Sequence, residues 1–212
     1  MSELLKYQTG ITFIKGVGTN LTKNLIAHTG SVEAVFSEKE NLLAKIPGIG
    51  NVLSKNIVSQ RQDALQLAEK EIHFIENNNI LPYFYTDKQY PFRLKECADA
   101  PVMIYTKGKI SLNENKYLAI VGTREPSDNG KETCRKIVSN IAALVPGVII
   151  VSGLAYGIDT CAHRAAVDAN TETIGVVAHG LDMVYPATHK NLANKMMNKG
   201  GLLTEFPSGT TP

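Results

Sequence analysis

Leu118-Ala-Ile-Val-Gly-Thr-Arg124 and, about thirty residues later, Val148-Ile-Ile-Val-Ser-Gly-Leu-Ala-Tyr-Gly-Ile-Asp159 decide the fold of this chain. Each begins as a short apolar run and ends in glycine ahead of a helical pattern. That sequence of events reads as a buried parallel strand feeding a βα turn. Such turns aim main-chain N–H groups at whatever lies beyond the strand ends, and Arg124 adds a permanent positive charge on the same edge. The ligand class this predicts is an anion, most simply a phosphate.

Outward from these two turns, four strand candidates (118–122, 148–152, 173–178 and 201–205) alternate with helical patterns at roughly 128–145, 157–170 and 188–199. Strand and helix alternating at this spacing predict right-handed βαβ units, a parallel sheet covered on both faces, and an α/β, Rossmann-like architecture. Ligands of such sheets bind outside the carboxyl ends of the strands, where the glycine turns fall.

Toward the amino terminus the pattern changes. Residues 1–70 read as helix broken by short glycine turns, with helical spacing in Leu21, Leu25, Ile26 and in Leu42, Leu43, Ile46. Lys15-Gly-Val-Gly-Thr19 recurs as Pro47-Gly-Ile-Gly-Asn51, and each copy opens a helix carrying Lys23 or Lys55. The repeat resembles the helix-hairpin-helix motif of small SAM-like domains, whose glycine hairpins grip DNA backbone without reading sequence. Gly16, Gly18, Gly48, Gly50 and Lys55 are therefore candidates for a secondary DNA contact. A purely structural role, letting two helices turn tightly and pack, accounts for the same glycines. From Glu71 short strand-like pieces, Ile72–Ile75 and Pro82–Tyr85, flank the polar Glu76-Asn-Asn-Asn79. The expected division is a helical domain over 1–70 and a Rossmann-like domain over 71–212.

Bulk composition sets outer bounds. The 212 residues are 43% hydrophobic and 20% charged, with a net charge of +2, which is ordinary for a globular chain and too little charge to announce nucleic-acid binding by itself. No apolar stretch approaches the roughly 18 residues of a membrane helix, and no secretory signal opens the chain, so a cytoplasmic location is expected. Cys97, Cys134 and Cys161 have neither a disulfide nor a zinc-site pattern, and read as reduced, mostly buried thiols.

The chemistry narrows by what the turns lack. A dinucleotide site calls for Gly-x-Gly-x-x-Gly after the first strand and an acid ending the second; here the strands end Gly122-Thr-Arg124 and Ser152-Gly153. No cofactor is expected. Asp159 and His163, four apart on one helix face, suit a metal or proton relay, but a third ligand is missing and Asp159 at a helix start serves equally as a cap. Ser152 lacks both a base and the Gly-x-Ser-x-Gly elbow. Neither a metal nor a catalytic residue is assigned. Lys190 begins a helix near the same sheet edge as Arg124; a cation sits badly at a helix start unless an anion lies between the two positive ends.

Taken in order, Tyr90-Pro-Phe-Arg-Leu94, Ile120-Val-Gly-Thr-Arg124, Val151-Ser-Gly-Leu-Ala-Tyr-Gly-Ile-Asp-Thr-Cys-Ala-His163, Gly180-Leu-Asp-Met-Val-Tyr-Pro186 and Leu203-Thr-Glu-Phe-Pro207 resemble the DNA-processing protein A family, DprA or Smf. The resemblance covers nearly the whole chain. It implies a non-enzymatic protein of natural transformation that binds and protects single-stranded DNA and helps load the recombinase RecA. Carried over motif by motif, Arg124 and Lys190 contact phosphates. Gly122, Thr123, Ser152, Gly153 and Gly157 line the turns that supply main-chain N–H groups. Tyr156 and Tyr185 are candidate stacking rings, although packing accounts for either.

Family members run on beyond Glu205-Phe-Pro207 into further strands, whereas this sequence stops at Pro212, so it reads as truncated and its sheet as incomplete at the carboxyl end. The missing part would supply recombinase and homodimer contacts, and would leave Gly201–Glu205 or a neighbour as an exposed strand edge. The alternative from another class is a nucleotide-cleaving enzyme similar to the phosphoribohydrolases of the Lonely Guy family. A third reading has the helical domain bind DNA while the Rossmann part serves as a scaffold.

Overall fold

The alternation of apolar strands with amphipathic helices that starts at residue 117 is what the chain builds. The computed structural model describes residues 3–114 and 116–212. Two units pack internally, the first ending at Met103 and the second running from Ile104 to Pro212.

The first unit comprises α1 (Glu3–Thr12), α2 (Thr19–Thr29), α3 (Val32–Ser37), the one-turn α4 (Glu40–Leu43) and the long α5 (Gly50–Asn77). Ser31 caps α3 by accepting the Ala34 N–H at 3.1 Å, and α2 stops at Gly30, which is left-handed with φ +90°. Gly16 and Gly48 hold equivalent left-handed positions, both at φ +86°, in the two glycine turns. The first turn is fastened to α5 through Lys15, whose N–H donates to Gln60 Oε1 (3.0 Å) and whose carbonyl accepts from Asn56 Nδ2 (2.9 Å).

Ile72–Ile75 is not a strand. Ala64, Ala68, Ile72 and Ile75 form one buried stripe at helical spacing, so packing along α5 overrides the β preference of the two isoleucines. The helix runs on until Asn78, followed by Asn79 at φ +52°. Residues 70 and 71 thus lie inside α5. Beyond it come β1 (Ile80–Phe84) and the short α6 (Phe92–Lys95). Tyr90, 2% exposed, donates its hydroxyl to the Pro101 carbonyl at 2.6 Å and anchors the Tyr-Pro-Phe segment.

The second unit takes over within β2 (Met103–Lys109) and continues with β3 (Tyr117–Ala119), α7 (Asp128–Leu144), β4 (Ile149–Ser152), α8 (Ile158–Asp168), β5 (Glu172–Val176), α9 (Lys190–Met196) and β6 (Gly200–Thr204). Strand order across it is β3-β4-β5-β6-β2. The first four strands are parallel, with Leu118 opposite Ile150, Ile150 opposite Thr173 and Gly175 opposite Leu202; β2 joins β6 antiparallel. Successive residues Ile149 and Ile150 are 2% and 0% exposed, so β4 is covered on both faces. Cys134 and Val138 of α7 meet Val148, Ile150 and the small residues Ala162, Ala165 and Ala166 of α8 in one core.

Gly201–Glu205 is not an edge: β6 lies between β5 and β2, and the end strand is β3. Regular β3 is also shorter than the apolar run that forms it. Ile120 still donates its N–H to Val151 at 2.9 Å, but Val121 emerges 83% exposed.

Candidate nucleic-acid interface

The two glycine turns form one piece of structure. Thr123 accepts the N–H of Ile158, the first residue of α8, at 3.1 Å. Gly157 lies at φ +87°, and a Cβ there would collide with the Thr123 carbonyl oxygen and lie 2.7 Å from the Arg124 Cα. Only glycine satisfies both the dihedral and the contact. Gly122 meets α8 equally closely, since a Cβ on it would come within 2.6 Å of Ile158 Cγ1. Thr123 uses its hydroxyl inside the turn as well, accepting the Glu125 N–H at 3.2 Å. The outcome of this packing is the fixed placement of Arg124, which is exposed and has no salt bridge among the described residues.

Arg124 borders two cavities. One, of about 350 Å³, opens at the carboxyl ends of β4 and β5 and is lined among others by Gly153, Tyr156, Val176, His179 and Tyr185. Its mouth is aromatic, with the Tyr156 and Tyr185 rings about half exposed. His179 is buried and holds that wall: Nδ1–H donates to the Gly180 carbonyl (2.8 Å) and Nε2 accepts the Tyr185 N–H (3.3 Å). Among its lining residues Arg124 supplies the cationic side chain and none is Asp or Glu. The other cavity, about 530 Å³, lies on the α7 and α8 side of Arg124.

Gly153 lines the strand-end cavity but is also held from behind. His163 donates from Nε2 to its carbonyl, and Asp159 Oδ2 lies so close that a Cβ on residue 153 would fall 2.5 Å away. The other ring nitrogen of His163 is 2.7 Å from the Thr173 hydroxyl, itself 3.0 Å from the Ile150 carbonyl. Burial holds the His163 imidazole below its ordinary pKa, which favours the neutral ring. Asp159 and His163 therefore converge on one glycine, and no metal-holding cluster of His, Cys, Asp or Glu occurs among the described residues. Ser152 is buried, and its hydroxyl donates to the Ile120 carbonyl at 2.6 Å, tying β4 to the end of β3.

Lys190 is exposed at the start of α9. It lines neither cavity that Arg124 borders, although the preceding Thr188 and His189 line the larger one. Three cations that sequence reasoning did not single out, Lys131, Arg135 and Arg164, do line that larger cavity. Their signal was present in outline: Lys131 and Arg135 are four apart on α7, hence on one face, but nothing in the sequence says that this face meets α8. In the first unit the other candidates lie in or beside the glycine turns: Gly18 precedes α2, Gly50 (φ +61°) starts α5, and Lys55 is exposed one turn later.

A Rossmann-like sheet with a cationic, aromatic strand-end cavity, in a chain that also carries a tandem glycine-hairpin helical region, defines an α/β protein with a site suited to an anion. The chain belongs to the family of DNA recombination-mediator protein A, whose model matches residues 82–212; residues 9–63 match the SAM-like helix-hairpin-helix tandem. It is 34% identical over 205 residues to protein Smf of Synechocystis sp., covering 94% of this chain and 50% of that protein. A crystal structure of DNA processing protein A from Streptococcus pneumoniae superposes with a TM-score of 0.73 at 27% identity, over 99% of this chain and 69% of that one. A structure of DNA processing protein A from Helicobacter pylori, solved to show its single-stranded DNA binding mode, superposes with a TM-score of 0.55 at 25% identity, over 63% of this chain and 58% of that one. The chain spans about half the length of the curated relatives it matches. No helix among the described residues is long and apolar enough to cross a membrane.

Proposed function

We propose that this chain binds single-stranded DNA at the strand-end cavity and works, without catalysing a reaction, in DNA processing during transformation and recombination in the cytoplasm. The observation that carries the reading is Arg124: without a salt bridge among the described residues, its backbone fixed by the Gly157 contact, and set beside two half-exposed tyrosine rings. A cation next to aromatic faces is the surface that tracks a phosphate backbone while stacking its bases, whatever their sequence. The structurally similar Helicobacter pylori protein, whose structure describes a single-stranded DNA binding mode, supports the same reading.

In this reading Arg124 and Lys190 engage phosphates. Main-chain groups of the turns containing Gly122, Thr123, Ser152, Gly153 and Gly157 shape the seat, and Gly16, Gly18, Gly48, Gly50 and Lys55 offer a secondary, sequence-independent contact. Protection of the strand and help in loading RecA, with a homodimer in the full-length protein, complete the proposal. The test is competition: oligo-dT should displace a labelled single strand far better than a duplex of equal length, with affinity falling steeply as salt rises. Equal competition by duplex would refute it. The enzyme alternative needs a carboxylate side chain at the reacting sugar, and neither Asp nor Glu lines the cavity among the described residues. Release of free base from nucleoside monophosphates would favour that alternative.

A further inference from the structure

Arg124 and Tyr156 are walls of both cavities. What occupies the strand-end cavity can therefore pass over one side chain pair into the larger one. The larger cavity is the more basic: Arg124, Lys131, Arg135 and Arg164 line it, against Glu125. Its volume of about 530 Å³ falls in the range of small-ligand sites, roughly 300–1,000 Å³.

Several fixed contacts build this cavity. The Cys161 thiol donates to the Lys131 carbonyl at 3.3 Å, which holds the first turns of α7 beside α8. Ala162, Ala165 and Ala166 keep α8 close to β4 and α7. Lys131 and Arg135, one helical turn apart on α7, thereby line the same hollow as Arg164 of α8. On the remaining side His189 is 5% exposed and donates from Nδ1 to the Leu154 carbonyl at 2.8 Å, and the Tyr156 ring meets it edge to face at 5.0 Å between centroids.

Acids near the cavity do not cancel its charge. Lys131 pairs with Asp128 at 2.9 Å and Arg135 with Glu132 at 3.0 Å, both within α7 and both well exposed. Pairs of that kind contribute little and exchange readily for a phosphate. Arg164 and Arg124 form no salt bridge among the described residues. A ligand meeting four cations in a hollow that continues from a nucleotide-sized cavity needs negative charges repeated along its length.

We infer that the hollow between α7 and α8 is a second phosphate subsite, which takes the phosphodiester backbone of the same single strand as it leaves the strand-end cavity past Arg124 and Tyr156. This rests on the single-stranded DNA reading above. Arg135 and Arg164 are its distinguishing residues, since neither lines the strand-end cavity.

The test compares the wild-type chain, the double variant R135A/R164A and the control K136A with short and long oligo-dT, about 4 and about 16 nucleotides. Lys136 is on α7, exposed and outside both cavities. The double variant should bind the short oligomer like wild type but bind the long one about tenfold more weakly. Its log K against log salt should be shallower by about 1.4, the counterion release of two single-strand phosphate contacts. K136A should match wild type. Unchanged long-oligomer affinity and salt slope in the double variant, or equal losses at both lengths, would overturn the second subsite and leave the strand-end cavity standing. Failure of the wild-type chain to bind either oligomer would instead bring down the single-stranded DNA reading and this inference with it.

Discussion

Gly157 touches the backbone of Arg124 through its bare Cα: a Cβ at 157 would stand 2.7 Å from the Arg124 Cα. One glycine at the start of α8 thus sets the backbone position of the cation in the turn that follows β3. Ala at 157 must adopt φ near +87° and push aside main chain rather than a movable side chain. We expect G157A to cost about 3 kcal/mol in urea unfolding, from the left-handed penalty plus overpacking. Oligo-dT affinity should drop even at concentrations where the variant stays folded. Wild-type stability in G157A would show that the contact is looser than described.

His163 makes stability depend on pH. Its ring is buried and its pKa lies below the ordinary 6.5, chiefly through burial and despite the Gly153 hydrogen bond and the nearby Asp159 charge. Below that ordinary value the unfolded chain takes up a proton that the native ring resists, so stability is lost as pH falls through this window. The urea midpoint of the wild-type chain should decline on acidification from neutral pH. H163Q, which keeps a donor toward Gly153, should show a flatter profile. Parallel profiles would assign the pH dependence to other groups.

The three cysteines should react in sharply different order. Cys97 is exposed, whereas Cys134 and Cys161 are buried, and burial together with the adjacent Cys161 pushes the Cys134 thiol up to about 11. The thiolate is the reactive form, so Cys134 is scarcely nucleophilic at neutral pH. Alkylation followed by mass spectrometry should label Cys97 within the native state, and Cys134 only at the rate of unfolding. Early labelling of Cys134 would mean that the α7 and α8 core opens locally.

The sequence made the βα turns legible because apolar runs ending in glycine have few other uses: strands near 118, 148, 173 and 201 and the helices between them all formed. Ile72–Ile75 misled because β-branched residues look alike in a strand and on the buried stripe of a long helix; only the continuation of Ala64 and Ala68 settles the period. Arg124 was readable from the turn it ends. Lys131, Arg135 and Arg164 were not, because their convergence depends on how α7 packs on α8 through small residues, which no local pattern records. The hydrogen bond from the Ser152 hydroxyl to the Ile120 carbonyl leaves no trace in the sequence for the same reason: it needs the register of β3 against β4.

Arg124 is where the account is most exposed to test. It borders both cavities, carries no competing acid in a salt bridge among the described residues, and is held by glycine contacts rather than by its own side chain. The direct measurement is the affinity of R124A for oligo-dT at fixed low salt, alongside wild type and K190A. Loss of a charge-assisted contact to phosphate predicts weakening of about ten- to a hundredfold for R124A at unchanged unfolding midpoint, with a smaller loss for K190A, which lies outside both cavity linings. An R124A chain that binds oligo-dT as tightly as wild type would contradict the central claim.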